Sequence, residues 1–578
     1  MGRNLTDAER ERRVLALYEQ LLEIEGRLIP TGLHVFGRRG GTGERADLLR
    51  LVASFDRPER GLRALPELIA AGLGLPAYQT LLTESAASER RLAERERVEG
   101  LARAATAEFL AAGAERAAAL LAAAAGVPAA ESGKVFALML EVERGLEGSD
   151  ELGALARALR GEYVEPGPGA DIVQNPEILP TGRNTYAVNP YHIPSPAAFA
   201  RAEPMVAALL ERHRREAGHY PETMAMVLWG LDNIKTQGDG VAQALWLMGA
   251  RPRRDNLNRA TEVEIIPPER LGRPRIDVVL TVSGIFRDLF GATMELLDKA
   301  VRRVAALDEP GELNCLRRHV LEQIGEGASF DEAATRVFSN AAGNYGTNVN
   351  FMVMDGQWEE ARALGELFVT RKCFAYGRDA TGRRLEGREA PALMGRALAR
   401  VEATYQNIDT AEIGITDVDH YFEYLGGVSR AVETRAGARP RIYLGDALAP
   451  GAKVRTLEET VRLETRTKTL NPKWYEGMLR HGFRGVAEIE HHVTNTFGWS
   501  ATADAVDDWI YDDVARTYVL DETMLGRLRV LNPDSTRSLV GRLLEAAGRG
   551  LWAAEAGVLE RLRETYAGLE DELEGVTA

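Results

Sequence analysis

Two apolar runs that each end in a glycine-containing turn constrain the fold of this 578-residue chain more than any other feature. The first run, residues 224–228, leads into Gly230, and the second, residues 276–282, leads into Gly284. A buried strand that stops at such a turn and feeds a helix leaves polar groups at the carboxyl edge of a sheet, where open α/β sheets bind ligands. The pair therefore predicts one binding site whose two halves repeat the same local design.

The rest of the sequence predicts helical regions before and after an α/β core. Strand-like and helical runs alternate from residue 170 to residue 360, which indicates doubly wound parallel sheets covered by helices. Alanine and leucine dominate the segment before it, and the sequence EPGPG between them cannot continue a helix. We expect a multidomain α/β protein with five divisions: an N-terminal helix and strand at 1–45, a helical module at 46–165, the α/β core at 166–360, a mixed α/β segment with the candidate acids at 361–453, and a mainly helical region at 454–578.

Helical spacing of apolar residues predicts helices at residues 4–27 and 289–304. In the second of these, Phe290, Met294, Leu297 and Val301 fall on one face. Residues 377–389 are charged and contain glycine, which predicts a loop.

Composition excludes several classes of protein. The formal charge of −15 argues against a nucleic-acid surface, which needs clustered basic residues. No apolar run reaches the roughly 18 residues of a membrane span, and the first residues lack the apolar core of a signal peptide, so we expect a cytoplasmic protein. The chain also lacks the G-x-x-x-x-G-K-[ST] loop, so we expect any ATP to be bound elsewhere.

Cysteines and the later histidines give little sign of metal chemistry. Cys315 and Cys373 lack metal-ligand spacing, so we expect buried, small apolar residues. His481, His491 and His492 have no matching pattern of carboxylates, and we expect them to be satisfied by neighbours or exposed.

Acids and a histidine lie close together in the sequence TDVDHYFE. If the segment is helical, Asp417, His420 and Glu423 share a face, and if it is extended, Asp417, Asp419 and Tyr421 do. In either case a carboxylate reaches the imidazole or its neighbour, and the imidazole can accept a proton near neutral pH. The alternative is an acidic surface turn with a capping aspartate.

Polar side chains also follow the two apolar runs. Asp232 and Lys235 come after the Trp229 turn, and Arg287 comes after the Ser283 turn. Arg287 is as readily an internal partner of the adjacent aspartate as a clamp for a substrate, and Asp232 and Lys235 have the same two interpretations.

Two further segments are rich in polar turn residues. The sequence TGRN contains Arg183 and Asn184, which could hold a carboxylate of a ligand or could form a tight turn. The sequence RVFSNAAGNYGTNVN contains Asn340, Tyr345 and Asn348, which could form a polar wall over a ligand or an ordered loop.

Taken in their order along the chain, the motifs resemble those of the large, porphyrin-binding subunit of magnesium chelatase and of its cobaltochelatase superfamily. The matching motifs are LWGxDNIKT, GRPRxDVVxTxSGxFRDLF, RVFSNAxGxYxxNVN and TDVxHYF. The resemblance extends, with gaps in the helical module, from about residue 21 to residue 575.

This resemblance implies an enzyme of (bacterio)chlorophyll biosynthesis that inserts Mg²⁺, its substrate metal, into protoporphyrin IX. The implied catalytic residues are His420, Asp417 and Glu423. The implied metal ligands are Asp417, Asp419, Glu423, Asp355, Glu359 and Glu360. The implied substrate-binding residues are Arg183, Asn184, Trp229, Asp232, Lys235, Ser283, Arg287, Asn340, Tyr345 and Asn348.

The resemblance also implies partners. In the family, a ring-forming ATPase subunit hydrolyses ATP and a second subunit bridges to it. The family's large subunit is longer than this chain, and a separate amino-terminal half is therefore a further candidate partner. Two alternatives stay open. One is a cobalt chelatase that acts on a corrin precursor, because Gly426 and Gly427 after the acidic segment resemble the large subunit of that enzyme. The other is a tetrapyrrole-binding protein without catalytic activity.

Overall fold

The computed structural model describes a large part of the chain in two compact units. The described residues are 10, 14, 17, 21, 24, 32–57, 60–85, 88–169, 172–173, 175–186, 189–378, 383–408, 410, 413–446 and 452–576. The first unit comprises Met1–Arg27 and His34–Ala187, and the second comprises Leu28–Leu33 and Val188–Ala578. The helix predicted at residues 4–27 lies largely outside the described residues, and the five expected divisions stay a prediction.

The first unit is helical, as its alanine-rich composition predicts. Its helices are Thr42–Val52, Leu65–Gly72, Tyr78–Glu84, Glu89–Ala112, Ala114–Ala125, Ala129–Glu147 and Glu151–Leu159. Side chains such as Val98, Leu121 and Phe136 form its apolar core. After these helices, β1 (Pro166–Pro168) pairs in parallel with β2 (Asn184–Tyr186).

The second unit is built around an eight-stranded sheet. Its strands are β3 (Thr223–Leu228), β6 (Asp277–Val282), β7 (Val337–Ser339), β8 (Phe374–Arg378), β9 (Arg384–Glu389), β10 (Ala403–Ile408), β11 (Arg441–Asp446) and β12 (Lys453–Thr456). The strand order is β12-β11-β10-β3-β6-β7-β8-β9, and the five strands from β11 to β7 are parallel. A separate antiparallel pair joins β4 (Ala250–Arg254) to β5 (Ala260–Ile265).

Helices cover this sheet and continue beyond it to the end of the chain. Before β12 they are Pro196–Ala217, Gly230–Lys235, Asp239–Met248, Pro268–Leu271, Gly284–Leu289, Gly291–Ala305, Cys315–Gly325, Phe330–Ala333, Val349–Met354, Ala361–Lys372, Pro391–Leu398, Asp419–Tyr421 and Gly427–Ala436. After β12 they are Leu457–Glu464, Pro472–Leu479, Phe483–Ala503, Asp508–Ala515, Glu522–Leu531, Pro533–Gly548 and Ala556–Leu573. Within the described ranges, three π-helical segments interrupt or extend these helices: Phe422–Gly426, Thr465–Thr469 and Arg516–Leu520. The expected α/β class, with helical regions before and after the α/β core in the sequence, is thus confirmed.

The strands and the helix that the sequence predicts with apolar patterns are present. β3 and β6 are wholly buried neighbours. The helix Gly291–Ala305 buries the predicted side chains Met294, Leu297 and Val301, and Phe290, just before it, is buried as well. Cys315 and Cys373 are buried and free, as expected.

The loop expected at residues 377–389 is wrong, because β9 lies within it and pairs in antiparallel with β8. Its charged sequence, RLEGRE, has no apolar alternation that would reveal a strand. Among the described residues, no helix is both long enough and apolar enough to cross a membrane.

Candidate functional site

The two predicted turns touch each other at the carboxyl edge of the sheet. The Ser283 hydroxyl oxygen accepts hydrogen bonds from the backbone N–H groups of Gly230 and Phe286, each at 3.1 Å. A Cβ atom at Gly230 would lie 2.5 Å from the Ile285 side chain, so the close approach of the turns requires a glycine there. The turns that follow β3 and β6 therefore form one surface.

Trp229 links this surface to the third strand and to the acidic motif. Its indole N–H donates to the side-chain oxygen of Gln406 in β10 at 3.2 Å. Its ring lies 4.5 Å from the Tyr424 ring and 6.4 Å from the His420 ring, measured between centroids. The motif TDVDHYFE thus lies beside the two turns.

His420 and Glu423 form the central pair of the site. The Nδ1 atom of His420 lies 2.7 Å from a carboxylate oxygen of Glu423. The imidazole is 60% exposed, whereas the carboxylate is 1% exposed. The hydrogen bond to Glu423 raises the pKa of His420 above its ordinary value, against the opposing effect of burial. The pair presents a basic imidazole to solvent and keeps its carboxylate inside.

The Glu423 carboxylate accepts hydrogen bonds from the polar loop RVFSNAAGNYGTNVN. One oxygen of Glu423 accepts from the backbone N–H groups of Thr347 and Asn348 and from the Thr347 hydroxyl, the last two at 2.9 Å. Asn348 has a positive φ of 64°, which turns its N–H toward this oxygen. The carboxylate is therefore well supplied with donors, and its remaining oxygen orients the imidazole.

His420 and Glu423 lie on an irregular helix that begins at Asp419. Asp419–Tyr421 forms one helical turn, and the π-helical segment Phe422–Gly426 then leads into Gly427–Ala436. A Cβ atom at Gly426 would lie 2.2 Å from the Thr502 hydroxyl oxygen, so the Gly426 backbone packs directly against the Thr502 side chain of the helix Phe483–Ala503. Single π-helical turns often occur at functional sites.

Arg287 organises the same polar loop from inside the protein. Its guanidinium donates to the carbonyl oxygens of Ala341 at 2.6 Å and Asn344 at 2.9 Å, and to the Asp288 carboxylate at 2.7 Å. The Tyr345 hydroxyl donates to the same carboxylate at 2.7 Å. Arg287 is buried, so the internal ion pair left open by the sequence is the arrangement observed.

Ser283 and Asn340, expected to contact substrate, also use their polar atoms internally. Both side chains are buried, and the Asn340 amide donates to the Gly346 carbonyl at 2.7 Å. In this structure Ser283, Arg287 and Asn340 position the loop and the turns, and their expected contact with substrate stays a prediction.

A buried lysine that sequence reasoning missed completes the interior of the site. Lys372 donates to the Val282 carbonyl at 2.5 Å and to the Asn340 side-chain oxygen at 3.1 Å, and its ammonium lies 4.2 Å from the Tyr424 ring centroid. Burial lowers the pKa of Lys372 well below its ordinary value, while the nearby Glu423 opposes this. The sequence gives no sign that Lys372 is buried, because lysines are usually exposed.

Asp417 does not join His420 as expected. It precedes the helical turn and contacts Lys468 and the Nε2 atom of His492, the latter at 3.0 Å. Burial opposes its ionisation, but His492 and Lys468 outweigh burial and hold the pKa of Asp417 below its ordinary value. Asp417 therefore belongs to a buried ion cluster, and His492 is satisfied, as expected of the later histidines.

Neighbouring contacts fix this second cluster to the start of the motif. A Glu464 carboxylate accepts from the backbone N–H groups of Ile415 and Thr416, each at 2.9 Å, and the Trp499 indole donates to the Ile415 carbonyl at 2.9 Å. The cluster fixes the position of residues 415–417, which directly precede the helical turn of His420. All of these partners belong to helical segments much later in the chain.

The six expected metal ligands do not form one cluster of ligand atoms among the described residues. Asp419 accepts from the Asn350 amide at 2.6 Å and lies 3.8 Å from His420. Asp355, Glu359 and Glu360 are exposed on the segment that follows the polar loop. In the described part of the chain, the group of three metal-binding side chains with ligand atoms within 4.8 Å is a different one, at His213, His219 and Glu402.

The remaining expected substrate-binding residues belong to both units. Asp232 is buried and Lys235 is half-buried on the short helix Gly230–Lys235. Arg183 and Asn184 belong to the first unit, where Asn184 begins β2. Their expected roles stay predictions.

Exposed apolar side chains lie on and beside the two turns next to Trp229. Leu231, which follows the first turn, is 56% exposed, and Ile285 and Leu289 on the helix after the second turn are also exposed. Tyr345, against which Gly284 packs, is exposed beside them. Apolar side chains gathered in this way typically mark a binding site. The site thus combines an apolar surface with a basic imidazole and carboxylates.

Comparisons with known proteins agree with this chemistry. Residues 2–559 match the CobN/Magnesium Chelatase family. The chain is 42% identical to the chloroplastic magnesium-chelatase subunit ChlH of Oryza sativa subsp. japonica, over all of this chain and 43% of that protein. It is 46% identical to the H subunit of the magnesium chelatase of Cereibacter sphaeroides, over 76% of this chain and 36% of that protein.

A solved structure has the same fold. The catalytic subunit of cobaltochelatase from Mycobacterium tuberculosis superposes with a TM-score of 0.90 at 34% identity, over 98% of this chain and 47% of that one. The chain thus spans less than half the length of these relatives. The match over residues 2–559 and these identities show that the chain belongs to the CobN/magnesium chelatase family.

Proposed function

We propose that this chain is the part of a magnesium chelatase large subunit that holds protoporphyrin IX while Mg²⁺ replaces two pyrrole protons. The observation that carries the proposal is the exposed His420 imidazole, hydrogen-bonded to the buried Glu423 carboxylate beside Trp229. The names and identities of the relatives support the same reaction class.

In the proposed reaction, the apolar surface at Leu231 and Ile285 binds one face of the macrocycle. The His420 Nδ1–H donates to Glu423, which leaves Nε2 to accept a pyrrole proton. Because the ring is exposed, it passes this proton to solvent and then accepts the second one. Two protons leave the porphyrin and one divalent cation enters, so charge is conserved.

The metal delivered to the porphyrin is a substrate, for which we propose carboxylate ligands. Asp419, next to His420, is the nearest candidate, and the exposed Asp355, Glu359 and Glu360 are further candidates. Oxygen ligands suit Mg²⁺, which releases its water reluctantly. Asp417, which is half-buried, has a supporting role in this proposal, because its carboxylate contacts Lys468 and His492.

A cobalt chelatase acting on a corrin precursor is the second candidate. The superposition with a cobaltochelatase catalytic subunit supports it, and imidazole is a good ligand for cobalt. We favour magnesium because the magnesium-chelatase relatives are 42% and 46% identical, against 34% for the cobaltochelatase structure. Chlorophyll or bacteriochlorophyll biosynthesis is the pathway that this choice of metal implies.

We further propose that ATP is hydrolysed by a ring-forming partner subunit with a bridging subunit, and that a separate amino-terminal half completes the enzyme. The rice relative is chloroplastic by name, and a cytoplasmic location for this chain stays our prediction.

Porphyrin binding tests the proposed surface. We expect protoporphyrin IX to quench the tryptophan fluorescence of the chain, and Leu231→Asp to weaken binding about tenfold, because it removes roughly 1.5 kcal/mol of apolar contact. Leu231 is largely exposed, so its replacement leaves the fold intact. Val530→Asp is the matched control, since Val530 is 85% exposed on the helix Glu522–Leu531, and binding should not change. Equal affinity of both variants would remove this surface from the proposal.

The pH dependence of insertion tests the central pair, with the proposed partners supplied. Below the raised pKa of His420 the ring is protonated and cannot accept a pyrrole proton, so the insertion rate should fall on the acidic side. Glu423→Gln removes the main cause of the raised pKa, so the acidic limb should move to lower pH while the maximal rate falls. Glu476→Gln, which loses an exposed pair with Arg527, is the control and should leave the limb in place. An unmoved limb in Glu423→Gln would contradict this assignment.

The same assay separates an enzyme from a tetrapyrrole-binding protein. Binding of protoporphyrin IX without insertion, even with the ATPase, the bridging subunit and an amino-terminal half present, would favour the non-catalytic alternative.

A further inference from the structure

A second group of metal-binding side chains lies at the opposite edge of the sheet from His420. His213 belongs to the helix Pro196–Ala217, His219 follows that helix, and Glu402 immediately precedes β10. Their ligand atoms all lie within 4.8 Å of one another. His420 follows the carboxyl ends of the parallel strands, whereas Glu402 lies at their amino ends, so the two groups are distinct.

The spacing of these side chains is close to that of a metal centre. One Glu402 oxygen lies 3.8 Å from the Nε2 atom of His213 and 3.7 Å from the Nδ1 atom of His219. Ligands at about 2.0–2.1 Å from a tetrahedral metal lie roughly 3.3 Å apart, so these two distances would each shorten by about 0.4 Å on binding, and the histidine nitrogens, within 4.8 Å of each other, would also move closer. The His219 Nδ1 atom also lies 2.9 Å from the Tyr220 carbonyl, a contact that this exposed ring would give up on binding.

Burial supplies a second and independent observation. His213 is 1% exposed, and neither of its ring nitrogens has a hydrogen-bond partner within the described residues. The Glu402 oxygen that faces both histidines is also buried without a hydrogen bond in that part of the chain. Buried polar atoms are usually paired, because leaving one unpaired costs about 1–3 kcal/mol. Coordination of one cation would satisfy the Nε2 atom of His213 and this oxygen together.

We propose that His213, His219 and Glu402 bind a divalent transition metal of the zinc class, with water as the fourth ligand. Two imidazoles and one carboxylate form a common ligand set for Zn²⁺, whereas Mg²⁺ prefers oxygen ligands alone. The metal joins the helix Pro196–Ala217 to the start of β10. Its role is to stabilise this edge of the fold, and it is not the ion delivered to the porphyrin.

Metal titration of the full chain tests the proposal. After dialysis against a chelator, we expect the chain to bind one equivalent of Co²⁺ with the absorption spectrum of tetrahedral cobalt, and Zn²⁺ to displace it. His219→Ala should weaken binding at least about 100-fold, more than the loss of an outer-shell group usually does. Because His219 is 60% exposed, this variant should fold even if His213 variants do not. His491→Ala is the matched control, since His491 is also partly exposed and lies outside the group, and its affinity should equal that of the unaltered chain.

Thermal unfolding gives a second measurement. Zn²⁺ should raise the midpoint of the unaltered chain and of His491→Ala but not of His219→Ala. Unchanged Co²⁺ affinity in both His219→Ala and Glu402→Gln would overturn the proposal. Loss of the Co²⁺ spectrum in His420→Ala, with retention in His219→Ala, would also overturn it by assigning the ion to the candidate insertion site. Neither result depends on whether the chain inserts magnesium.

Discussion

Metal insertion should fall about 100-fold or more when His420 is replaced by alanine, while the affinity for protoporphyrin IX changes only a few-fold. A general base contributes a factor of this size, and the exposed imidazole adds little to the apolar surface that holds the ring. The measurement is the rate of magnesium porphyrin formation with the ATPase, the bridging subunit and the amino-terminal half supplied. Porphyrin fluorescence quenching gives the affinity in parallel.

His491→Ala is the control for this experiment. Its imidazole is also partly exposed and lies 4.0 Å from Glu490, so its loss should leave the insertion rate unchanged. An unchanged rate in His420→Ala would remove His420 from the mechanism. A comparable loss of porphyrin affinity would instead show that the imidazole mainly binds substrate.

Asp417→Asn should lower the free energy of unfolding of the second unit by about 3 kcal/mol or more. The change removes the carboxylate that contacts Lys468 and His492, both of which are buried, and breaking a buried ion pair from one side has a cost of this size. Denaturant unfolding followed by tryptophan fluorescence measures the effect. The pKa of Asp417 is lowered in the folded state, so its contribution is present above the ordinary value of 3.8 and is lost as the pH falls through the folded pKa.

Glu476→Gln is the matched control for stability, because Glu476 pairs with Arg527 at the surface, and exposed pairs contribute about 0–1 kcal/mol. The double variant Asp417→Asn with Lys468→Met should recover part of the loss, since it also removes the buried positive charge. A loss below about 1 kcal/mol in Asp417→Asn would show that the cluster does not anchor the segment that delivers His420.

Apolar periodicity predicted the elements that surround the site but not the contacts that assemble it. β3, β6 and the helix Gly291–Ala305 follow from runs of buried residues. β9 was missed, because a charged edge strand lacks such a run. Local patterns report how a segment is buried, and they carry no information about its distant partners.

The site shows this limit most clearly. The helical alternative placed Asp417, His420 and Glu423 on one face, and of these His420 and Glu423 do pair. The donors to Glu423 come from Thr347 and Asn348, about 75 residues earlier, so no local pattern could identify them. Asp417 was misplaced for the same reason, because its partners Lys468 and His492 belong to later helical segments.

The π-helical segment Phe422–Gly426 ties the alignment of the base to an imperfection of its helix. Such a turn holds one more residue than a regular α-helical turn, so deleting one residue here would give a regular helix whose two ends keep their register. Glu423 lies inside the widened turn and His420 just before it, so such a deletion would change the direction of the Glu423 side chain relative to His420 and Thr347. A regular helix here would therefore separate the His420 imidazole from the carboxylate that orients it.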